Sequence, residues 1–330
     1  MSEVTVADRP VTDSLVTVFG GSGFLGRYVV RALARRGYRI RVAVRRPDLA
    51  NFLLPYGYVG QIQLVQANVR FADSVRRAVQ GSDFVVNLVG VLAPHGRQSF
   101  DAVHVYGARA ISTAAAEMGA RVVHVSAIGA DSAASALYAR TKGLGEEAVR
   151  AAVPDSIILR PSLVFGPEDD FFNRFAAMTR FAFALPLIGG GKTRFQPVFV
   201  ADVAAAVERA VDGKAKAATI YELGGPEVRT FRDLMELLLR EIGSHRILMD
   251  LPFGVADLMA RVLGWVPGGS ALLTRDQVAM LHFDNVVSDA AIAEHRTIHD
   301  LGILPAAMAS VLPSYLWRFR KAGQFTRIET

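Results

Sequence analysis

The chain has 330 residues, of which 51% are hydrophobic and 21% are charged, and this composition excludes an intrinsically disordered protein. Cysteine is absent, so thiol catalysis, thiolate metal sites and disulfides are excluded, and we expect no metal site. The net charge of +6 comes mainly from arginines dispersed along the chain, which gives no support to a nucleic-acid partner.

The ends of the sequence carry no targeting or membrane-spanning pattern. Residues 1–13 are polar and lack the features of a signal or transit peptide, so we predict a flexible leader. The longest uncharged run, residues 301–317, is interrupted by Pro305 and Pro313 and is shorter than the roughly 20 apolar residues that span a bilayer. We therefore expect a soluble or peripheral protein without a transmembrane helix.

A glycine-rich turn between a strand and a helix is the first motif along the chain. The segment VTVFGGSGFLG, residues 16–26, runs from apolar β-formers into glycines and then into an amphipathic helix. Its G-x-x-G-x-x-G spacing allows a sharp turn, close approach of a pyrophosphate and close packing of helix on strand. We predict dinucleotide contacts from the following residues: Gly20, Gly21, Ser22, Gly23, Phe24, Leu25 and Gly26.

Repeated strand–helix units follow the turn. We predict further strands at residues 39–44, 62–66, 83–88, 121–126 and 156–165. Such alternation is typical of a parallel sheet covered by helices. The expected fold class is α/β: a Rossmann doubly wound parallel sheet, with a smaller, mostly helical C-terminal lobe.

Several residues at predicted strand ends are candidate cofactor contacts. Arg45 ends the second strand, where a guanidinium would pair with the 2′-phosphate of NADP(H), and Arg46 is a weaker candidate for this role. The alternative is that both are ordinary surface arginines. Asn68 and Val69 follow the third strand, and Asn68 is either an adenine contact or a turn residue. Val89 follows the fourth strand, beside the expected cleft.

Three further residues form a candidate catalytic set. Ser126 ends the fifth strand, and Tyr138 and Lys142 lie four apart on one helical face. A nearby ammonium would lower the pKa of the phenol towards a useful range, while the serine would hold a carbonyl or alcohol. Tyr138 and Lys142 are also predicted cofactor contacts. The alternative for the pair is a half-buried tyrosine beside a solvated lysine.

Together these motifs resemble the short-chain dehydrogenase/reductase superfamily, of the extended or atypical kind. The segments that carry the resemblance are Gly20/Gly23/Gly26, Asn68-Val69, Ser126, Tyr138/Lys142 and RPSLVFGP at residues 160–167. A narrower resemblance, to the nucleotide-binding accessory subunits of respiratory complex I and their proteobacterial relatives, is carried by YARTKGLGEEAVR, ILRPSLVFGPEDDFFNRF and FQPVFVADVAAAV. It implies a reductase-like architecture with a tightly held NADPH that serves stability more than turnover.

The resemblance also implies a domain organisation and a partner. We expect an NADP-binding Rossmann domain at 14–165 to which 197–224 returns, a substrate or partner lobe at 166–196 and 225–300, and an apolar-basic segment at 301–330. The implied function is an accessory or assembly component of complex I (NADH:ubiquinone oxidoreductase), bound to complex I subunits. Its location would be peripheral, on the cytoplasmic side of a bacterial inner membrane or the mitochondrial matrix side. The alternative is an active NADP-dependent oxidoreductase or epimerase.

Two features of the sequence bear on activity and docking. Extended reductases commonly have an asparagine where this chain has His104, which either relays protons itself or is a structural histidine at the head of a helix. Closely spaced phenylalanines between residues 171 and 183 suggest a lobe over the cleft or simple core packing. Aromatic residues interleaved with cations in 301–330 suit anionic lipid or a protein partner, or else docking on the chain's own domain.

Overall fold

The computed structural model describes residues 13–94, 96–263 and 274–320. The predicted leader lies outside these residues except for Asp13, and so does the C-terminal segment from residue 321 onward. Within the described residues, the strands are β1 (Leu15–Phe19), β2 (Arg39–Val44), β3 (Ile62–Gln66), β4 (Phe84–Asn87), β5 (Arg121–Val125), β6 (Ile157–Pro161), β7 (Val164–Phe165), β8 (Ala184–Ile188), β9 (Arg194–Phe195), β10 (Val198–Phe199), β11 (Ile220–Leu223), β12 (Arg229–Thr230) and β13 (Ile247–Leu251).

The helices of the same residues alternate with these strands. They are α1 (Phe24–Arg36), α2 (Ala72–Val79), α3 (Gly107–Glu117), α4 (Leu137–Ala152), α5 (Phe171–Met178), α6 (Val200–Val211), α7 (Phe231–Ile242), α8 (Phe253–Leu263), α9 (Arg275–Met280), α10 (Asp289–Ala293), α11 (Met308–Val311) and α12 (Pro313–Leu316). A π-helical segment, Asp101–Tyr106, leads into α3, and a 3₁₀ segment, Pro47–Tyr56, follows β2.

A seven-stranded parallel sheet forms the centre of the molecule. Its strand order is β3-β2-β1-β4-β5-β6-β11, and each neighbouring pair is parallel. The chain moves outward from β1 to β3 and then returns to pair β4 with the other side of β1. Ligands of open α/β sheets bind at the carboxyl ends of the strands beside such a reversal. The predicted Rossmann fold class is confirmed, and the fold positions a site beside the β1–α1 turn.

Both faces of the sheet are covered, which explains its nearly continuous apolar strands. Val18 and Val125 face a core that includes the buried sides of α1 and α6. Phe19 and Val122 face a second core built with α2, α3 and α4. Successive residues of one strand therefore pack against different helical layers.

The predicted strand 156–165 is wrong as a single element. β6 ends at Pro161, and Val164–Phe165 pairs instead with β10. Ser162 lies at the break, where its hydroxyl donates to the backbone and side-chain oxygens of Asn285, both at 2.7 Å. A partner that lies far along the chain thus interrupts a locally continuous β pattern.

Residues beyond β7 contribute to both the sheet and a separate core. β11 pairs with β6, and α6 packs against α1 in the first core. Helix α7 begins after Thr230, which forms a capping box with Asp233. The exact division into domains remains a proposal.

A third core, separate from the two that cover the sheet, is formed mainly by α5, α7, α11 and α12. Phe172 is fully buried there, and Phe171 and Phe175 pack against it at the edge. Phe181 and Phe183, in contrast, are 90% and 89% exposed. The phenylalanine-rich stretch is therefore core packing in its first half and solvent-facing surface in its second.

The described part of the C-terminal segment docks on the chain's own core. Leu312, Tyr315 and Leu316 are buried, and the Tyr315 hydroxyl donates to the buried carboxylate of Asp169 at 2.6 Å. Most apolar residues of 301–320 therefore pack on the chain itself, which is the alternative to a lipid or protein partner for this segment. Among the described residues, no helix combines the length and apolar composition needed to cross a bilayer.

Candidate functional site

The glycine turn has the geometry of an anion-binding turn. Gly20 has a φ of +80°, a conformation that suits glycine, and its carbonyl accepts the N–H of Gly23 at 3.0 Å. A Cβ at Gly26 would lie 2.2 Å from the Gly20 oxygen, so only glycine allows this packing of α1 on the turn. No side chain caps α1, and no acidic residue lies in its first turn. Its first N–H groups therefore suit a negatively charged ligand such as a pyrophosphate.

The segment after β4 connects the glycine turn with α4. A Cβ on Gly20 would lie 3.1 Å from the carbonyl carbon of Leu88 and 3.3 Å from the backbone nitrogen of Val89. A Cβ on Gly90 would lie 3.4 Å from the Lys142 Nζ atom. The structure thus brings the predicted phosphate turn, Val89 and Lys142 to one end of the sheet.

The two candidate arginines after β2 differ in their contacts. Arg46 forms an exposed ion pair with Asp48 at 2.8 Å. Arg45 is also exposed, and within the described residues it makes no hydrogen bond or ion pair. Of the two, Arg45 is the guanidinium that is available to a ligand phosphate.

Asn68 has the contacts of a turn residue. Its side-chain oxygen accepts the N–H of Arg70 at 3.1 Å, and its own N–H donates to Ser74 at 3.0 Å. Val69 packs closely against Gly107 at the start of α3. These contacts fix the backbone at the end of β3 and leave the amide NH₂ of Asn68 for an adenine.

Ser126 and Lys142 are buried where β5 meets α4. The Ser126 hydroxyl has no hydrogen-bond partner within the described residues, although the residue is only 4% exposed. Lys142 donates to the carbonyl of Val125 at 3.2 Å. Burial lowers the pKa of Lys142 to about 8, although the charge of Glu146 opposes this shift. A hydroxyl group of a ligand would provide the missing partner for Ser126.

Tyr138 lies against two other rings, and its pKa shifts in the direction opposite to the predicted one. Its ring centroid is 5.9 Å from that of Phe100 and 5.4 Å from that of His104, both edge to face. Burial, together with the smaller effect of the negative charge of Asp276, raises the pKa of Tyr138 to about 12. We expected Lys142 to lower this pKa, but desolvation dominates.

Asp276 reaches the site from the C-terminal lobe. Its carboxylate accepts the N–H of Leu137 at 2.5 Å and that of Tyr138 at 3.0 Å, and so caps α4. A negative charge is favourable at this helix end but opposes ionisation of the adjacent phenol. Local sequence reasoning missed this residue because it lies on α9, far along the chain.

His104 has the contacts of a structural histidine. Its Nε2 accepts the N–H of Val91 at 3.1 Å, so Nδ1 carries the proton and donates to the Thr141 hydroxyl at 3.0 Å. Burial and the nearby Lys142 charge lower its pKa to about 3, which keeps the ring neutral. A Cβ on Gly145 would lie 2.4 Å from the His104 carbonyl oxygen, so α4 crosses the π-helical segment in close contact. Both ring nitrogens of His104 therefore already have hydrogen-bond partners within the protein.

Comparison with known proteins identifies the family. The profile of the NAD dependent epimerase/dehydratase family matches residues 16–224, from β1 through the glycine turn and Lys142 to β11. The chain belongs to this family. Family membership supports a nicotinamide nucleotide as the cofactor, and the turn, the available Arg45 and the unpartnered Ser126 hydroxyl fit such a ligand.

Relatives of this epimerase-family chain include respiratory and enzymatic proteins. Mitochondrial NADH dehydrogenase [ubiquinone] 1 alpha subcomplex subunit 9 of Arabidopsis thaliana is 34% identical over 95% of this chain and 80% of its own. Ceramide reductase of Caulobacter vibrioides is 36% identical over 47% of this chain and 48% of its own. The NADPH-complexed quinone oxidoreductase of Escherichia coli shares the fold, with a TM-score of 0.68, 19% identity and coverage of 89% and 97% of the two chains.

A second histidine of this family member was not among the sequence candidates. His124 is buried on β5, where its Nδ1 atom lies 3.1 Å from the Asn87 side-chain nitrogen. Its Nε2 atom has no partner within the described residues. Burial and the Lys142 charge lower its pKa to about 3. The two-residue spacing from Ser126, which puts both side chains on one face of the strand, was the available signal.

The loop after β7 makes a further contact with the first turns of α1. Glu168 pairs with Arg27 at 3.3 Å and accepts the Tyr28 hydroxyl at 2.9 Å. This contact connects the second half of the chain to the helix that begins at the glycine turn. In the described ranges, no group of three or more histidine, aspartate or glutamate side chains is placed to hold a metal ion.

Proposed function

We propose that this protein is an NADP(H)-binding accessory or assembly component of respiratory complex I, in which the nucleotide is mainly structural. It would act peripherally, on the cytoplasmic side of a bacterial inner membrane or the matrix side of a mitochondrial one. The observation that carries the proposal is the contrast within the site. The nucleotide-holding parts are preorganised, whereas the Tyr138 phenol has a pKa of about 12.

The state of Tyr138 argues against efficient proton transfer. A general acid or base works best when its pKa lies near the operating pH. A phenol with a pKa raised to about 12 stays protonated at neutral pH and is also a weak acid. Burial is the main cause of this state, and the Asp276 carboxylate against the backbone of Tyr138 adds to it. Tyr138 and Lys142 then serve to hold the nicotinamide end of the nucleotide rather than to exchange protons.

Arg45 supports NADP(H) over NAD(H) within this proposal. A 2′-phosphate pairs favourably with a guanidinium, and a carboxylate in this place would repel it. Arg45 directly follows β2, and it has no competing partner in the described part of the chain. The glycine turn would hold the pyrophosphate, and the backbone at Asn68 and Val69 the adenine. When bound, the nucleotide supplies a hydride donor or acceptor.

A structural nucleotide acts through binding linkage. A ligand that binds only the folded state stabilises it by RT ln(1 + [L]/Kd), about 4 kcal/mol when the ligand exceeds Kd a thousandfold. The relative in Arabidopsis thaliana is named as a subunit of the ubiquinone-reducing NADH dehydrogenase and aligns with nearly the whole chain. This relationship supports complex I subunits as the partners.

Bound nucleotide and co-fractionation test the proposal together. We expect NADP(H) in the gently purified protein by mass spectrometry, and the protein itself in fractions that contain complex I. Tyr138→Phe should keep both properties, because the glycine turn and Arg45 would still hold the phosphates of the nucleotide. Freely exchanging nucleotide that turns over with a small substrate, together with loss of turnover in Tyr138→Phe, would overturn the structural role.

The second candidate is an active NADP-dependent oxidoreductase or epimerase. The buried, unpartnered hydroxyl of Ser126 favours it, because this group is placed to bind a substrate oxygen. The partial match to a ceramide reductase suggests an apolar carbonyl substrate. A panel of such carbonyl compounds, followed by NADPH consumption, tests this candidate. Activity must fall in both Ser126→Ala and Tyr138→Phe if the set is catalytic.

A further inference from the structure

An exposed aromatic loop with unpaired arginines projects from the C-terminal lobe. Its centre is residues 179–183, which follow α5 and carry Phe181 and Phe183, 90% and 89% exposed. The backbone N–H of Ile247 donates to the carbonyl of Phe183 at 3.2 Å. This contact places the backbone of Ile247, a residue that is itself 70% exposed, next to that of Phe183. The apolar tip is thus built from two separate segments of chain.

Three arginines lie around this tip: Arg246 bonds to its backbone, Arg180 belongs to it, and Arg318 contacts Arg180. Arg246 donates twice to the Thr179 carbonyl, at 2.9 and 2.7 Å. Arg180 donates to the carbonyl of Arg318 at 3.2 Å, and both guanidinium groups lie over the ring of Phe319, at 5.2 and 5.3 Å.

These guanidinium groups are bound to carbonyls, a side-chain amide and a ring rather than to acids. Within the described residues, none of Arg180, Arg246 and Arg318 forms an ion pair with a carboxylate. The nearby carboxylate of Glu241 is taken by Arg320, at 3.7 Å. The rim of the tip therefore keeps its full positive charge.

We propose that residues 179–183, with Ile247 and the three arginines, form a docking loop for an anionic phospholipid bilayer. Exposed phenylalanines insert at the boundary between headgroups and acyl chains, and arginines around them pair with lipid phosphates. In water, two phenylalanines that are 90% and 89% exposed add almost no apolar burial to the folded chain, whereas a membrane interface buries them. This docking loop rests on the proposed peripheral membrane location and specifies which surface contacts the lipid. The apolar lipid contact then lies outside the C-terminal segment, which contributes Arg318, because that segment's described apolar residues are mostly buried.

Vesicle binding by the full chain tests this docking loop. The two vesicle types are phosphatidylcholine alone and phosphatidylcholine with phosphatidylglycerol, compared by co-sedimentation at low and high salt. We expect binding to the anionic vesicles that weakens with salt, because screening reduces the arginine contribution. Phe181→Ala/Phe183→Ala should bind at least about tenfold more weakly, and Arg180→Gln several-fold more weakly to anionic vesicles alone.

Phe71→Ala is the matched control. Phe71 is also exposed, at 60%, and has the Arg70 guanidinium over its ring, but it belongs to the Rossmann half of the chain. Its vesicle binding should equal that of the wild type. Equal binding by the double phenylalanine variant, or no binding to either vesicle, would overturn the proposal, and so would loss of complex I co-fractionation without any vesicle binding. Nucleotide content measured in the same samples separates these results from failure of the proposed nucleotide role.

Discussion

The glycine turn after β1 and the first turns of α4 both lie close to the residues that follow β4, yet they are built differently. The turn is held by contacts among Gly20, Gly23 and Gly26, all within one short stretch of chain. The start of α4 is held by Asp276, which lies 138 residues beyond Tyr138. A ligand phosphate thus meets a rigid local frame, whereas the phenol depends on the C-terminal lobe. Nucleotide binding therefore depends on local contacts in the glycine turn, whereas proton transfer by Tyr138 depends on a residue of the C-terminal lobe.

Disrupting the close packing of the glycine turn should have the largest effect on stability and on nucleotide binding. In Gly26→Ala the added Cβ would meet backbone atoms of Gly20 and Gly21 at 2.2 and 2.6 Å, and backbone cannot move aside as a side chain can. We expect a destabilisation of about 3 kcal/mol or more and loss of bound nucleotide. Urea unfolding and mass spectrometry measure the two effects.

Gly254→Ala is the control for this substitution. Gly254 lies in the first turn of α8, where an added Cβ meets nothing within 4 Å. We expect unchanged nucleotide content and a small gain in stability, up to about 1 kcal/mol, because alanine is the better helix former. Nucleotide retention by Gly26→Ala would show that the close packing of α1 is not required for the site.

The preference of the protein for NADP(H) over NAD(H) should depend on Arg45. Arg45→Gln removes one charged hydrogen-bond donor, so we expect NADPH affinity to fall roughly tenfold to a hundredfold, with little change for NADH. Arg46→Gln is the matched control, because Arg46 is already paired with Asp48. Isothermal titration of both nucleotides measures the ratio. An unchanged NADPH-to-NADH preference in Arg45→Gln would remove the support for NADP(H).

The buried histidines near α4 predict how stability depends on pH. The pKa of His124 falls to about 3 in the folded state, so between that pH and about 6.5 the unfolded state binds the extra proton. Stability therefore decreases as pH falls through this window. For His124 alone, the loss between pH 7 and pH 5 should be about 2 kcal/mol.

His124→Gln tests this contribution, since glutamine does not titrate. The difference between urea unfolding free energies at pH 7 and pH 5 should shrink by about 2 kcal/mol relative to the wild type. His299→Gln, in an exposed 3₁₀ segment, serves as control and should leave the difference unchanged. An identical pH dependence in wild type and His124→Gln would mean that folding does not lower the pKa of His124.

How well the sequence predicts each region depends on how far apart along the chain its contacting residues lie. The glycine turn and the end of β2 at Arg45 were predictable, because neighbouring residues determine both. The break after β6 was not, since the Ser162 hydroxyl bonds to Asn285, 123 residues away. The pKa of Tyr138 was predicted in the wrong direction for a related reason. The Y-x-x-x-K spacing shows the nearby cation, but it shows neither the burial nor the carboxylate from α9.

The connection between the lobe and Tyr138 should give the smallest stability effect and the most specific one. Asp276→Asn removes a charge from the N-terminus of α4, which should cost about 1 kcal/mol. It should also lower the Tyr138 pKa from about 12, because the carboxylate charge raises that pKa. Ultraviolet titration of phenolate, with Tyr138→Phe subtracted, measures the shift.

Asp257→Asn distinguishes this contact from a general loss of lobe charge. Asp257 pairs with Arg261 and with Arg275 beside Asp276, but no hydrogen bond within the described residues joins it to α4. It should therefore leave the Tyr138 pKa unchanged. If Asp276→Asn also leaves that pKa unchanged, burial alone protonates the phenol. If instead it lowers the pKa and turnover appears while the nucleotide is still retained, then a single carboxylate from the C-terminal lobe keeps this reductase-like site from acting as an enzyme.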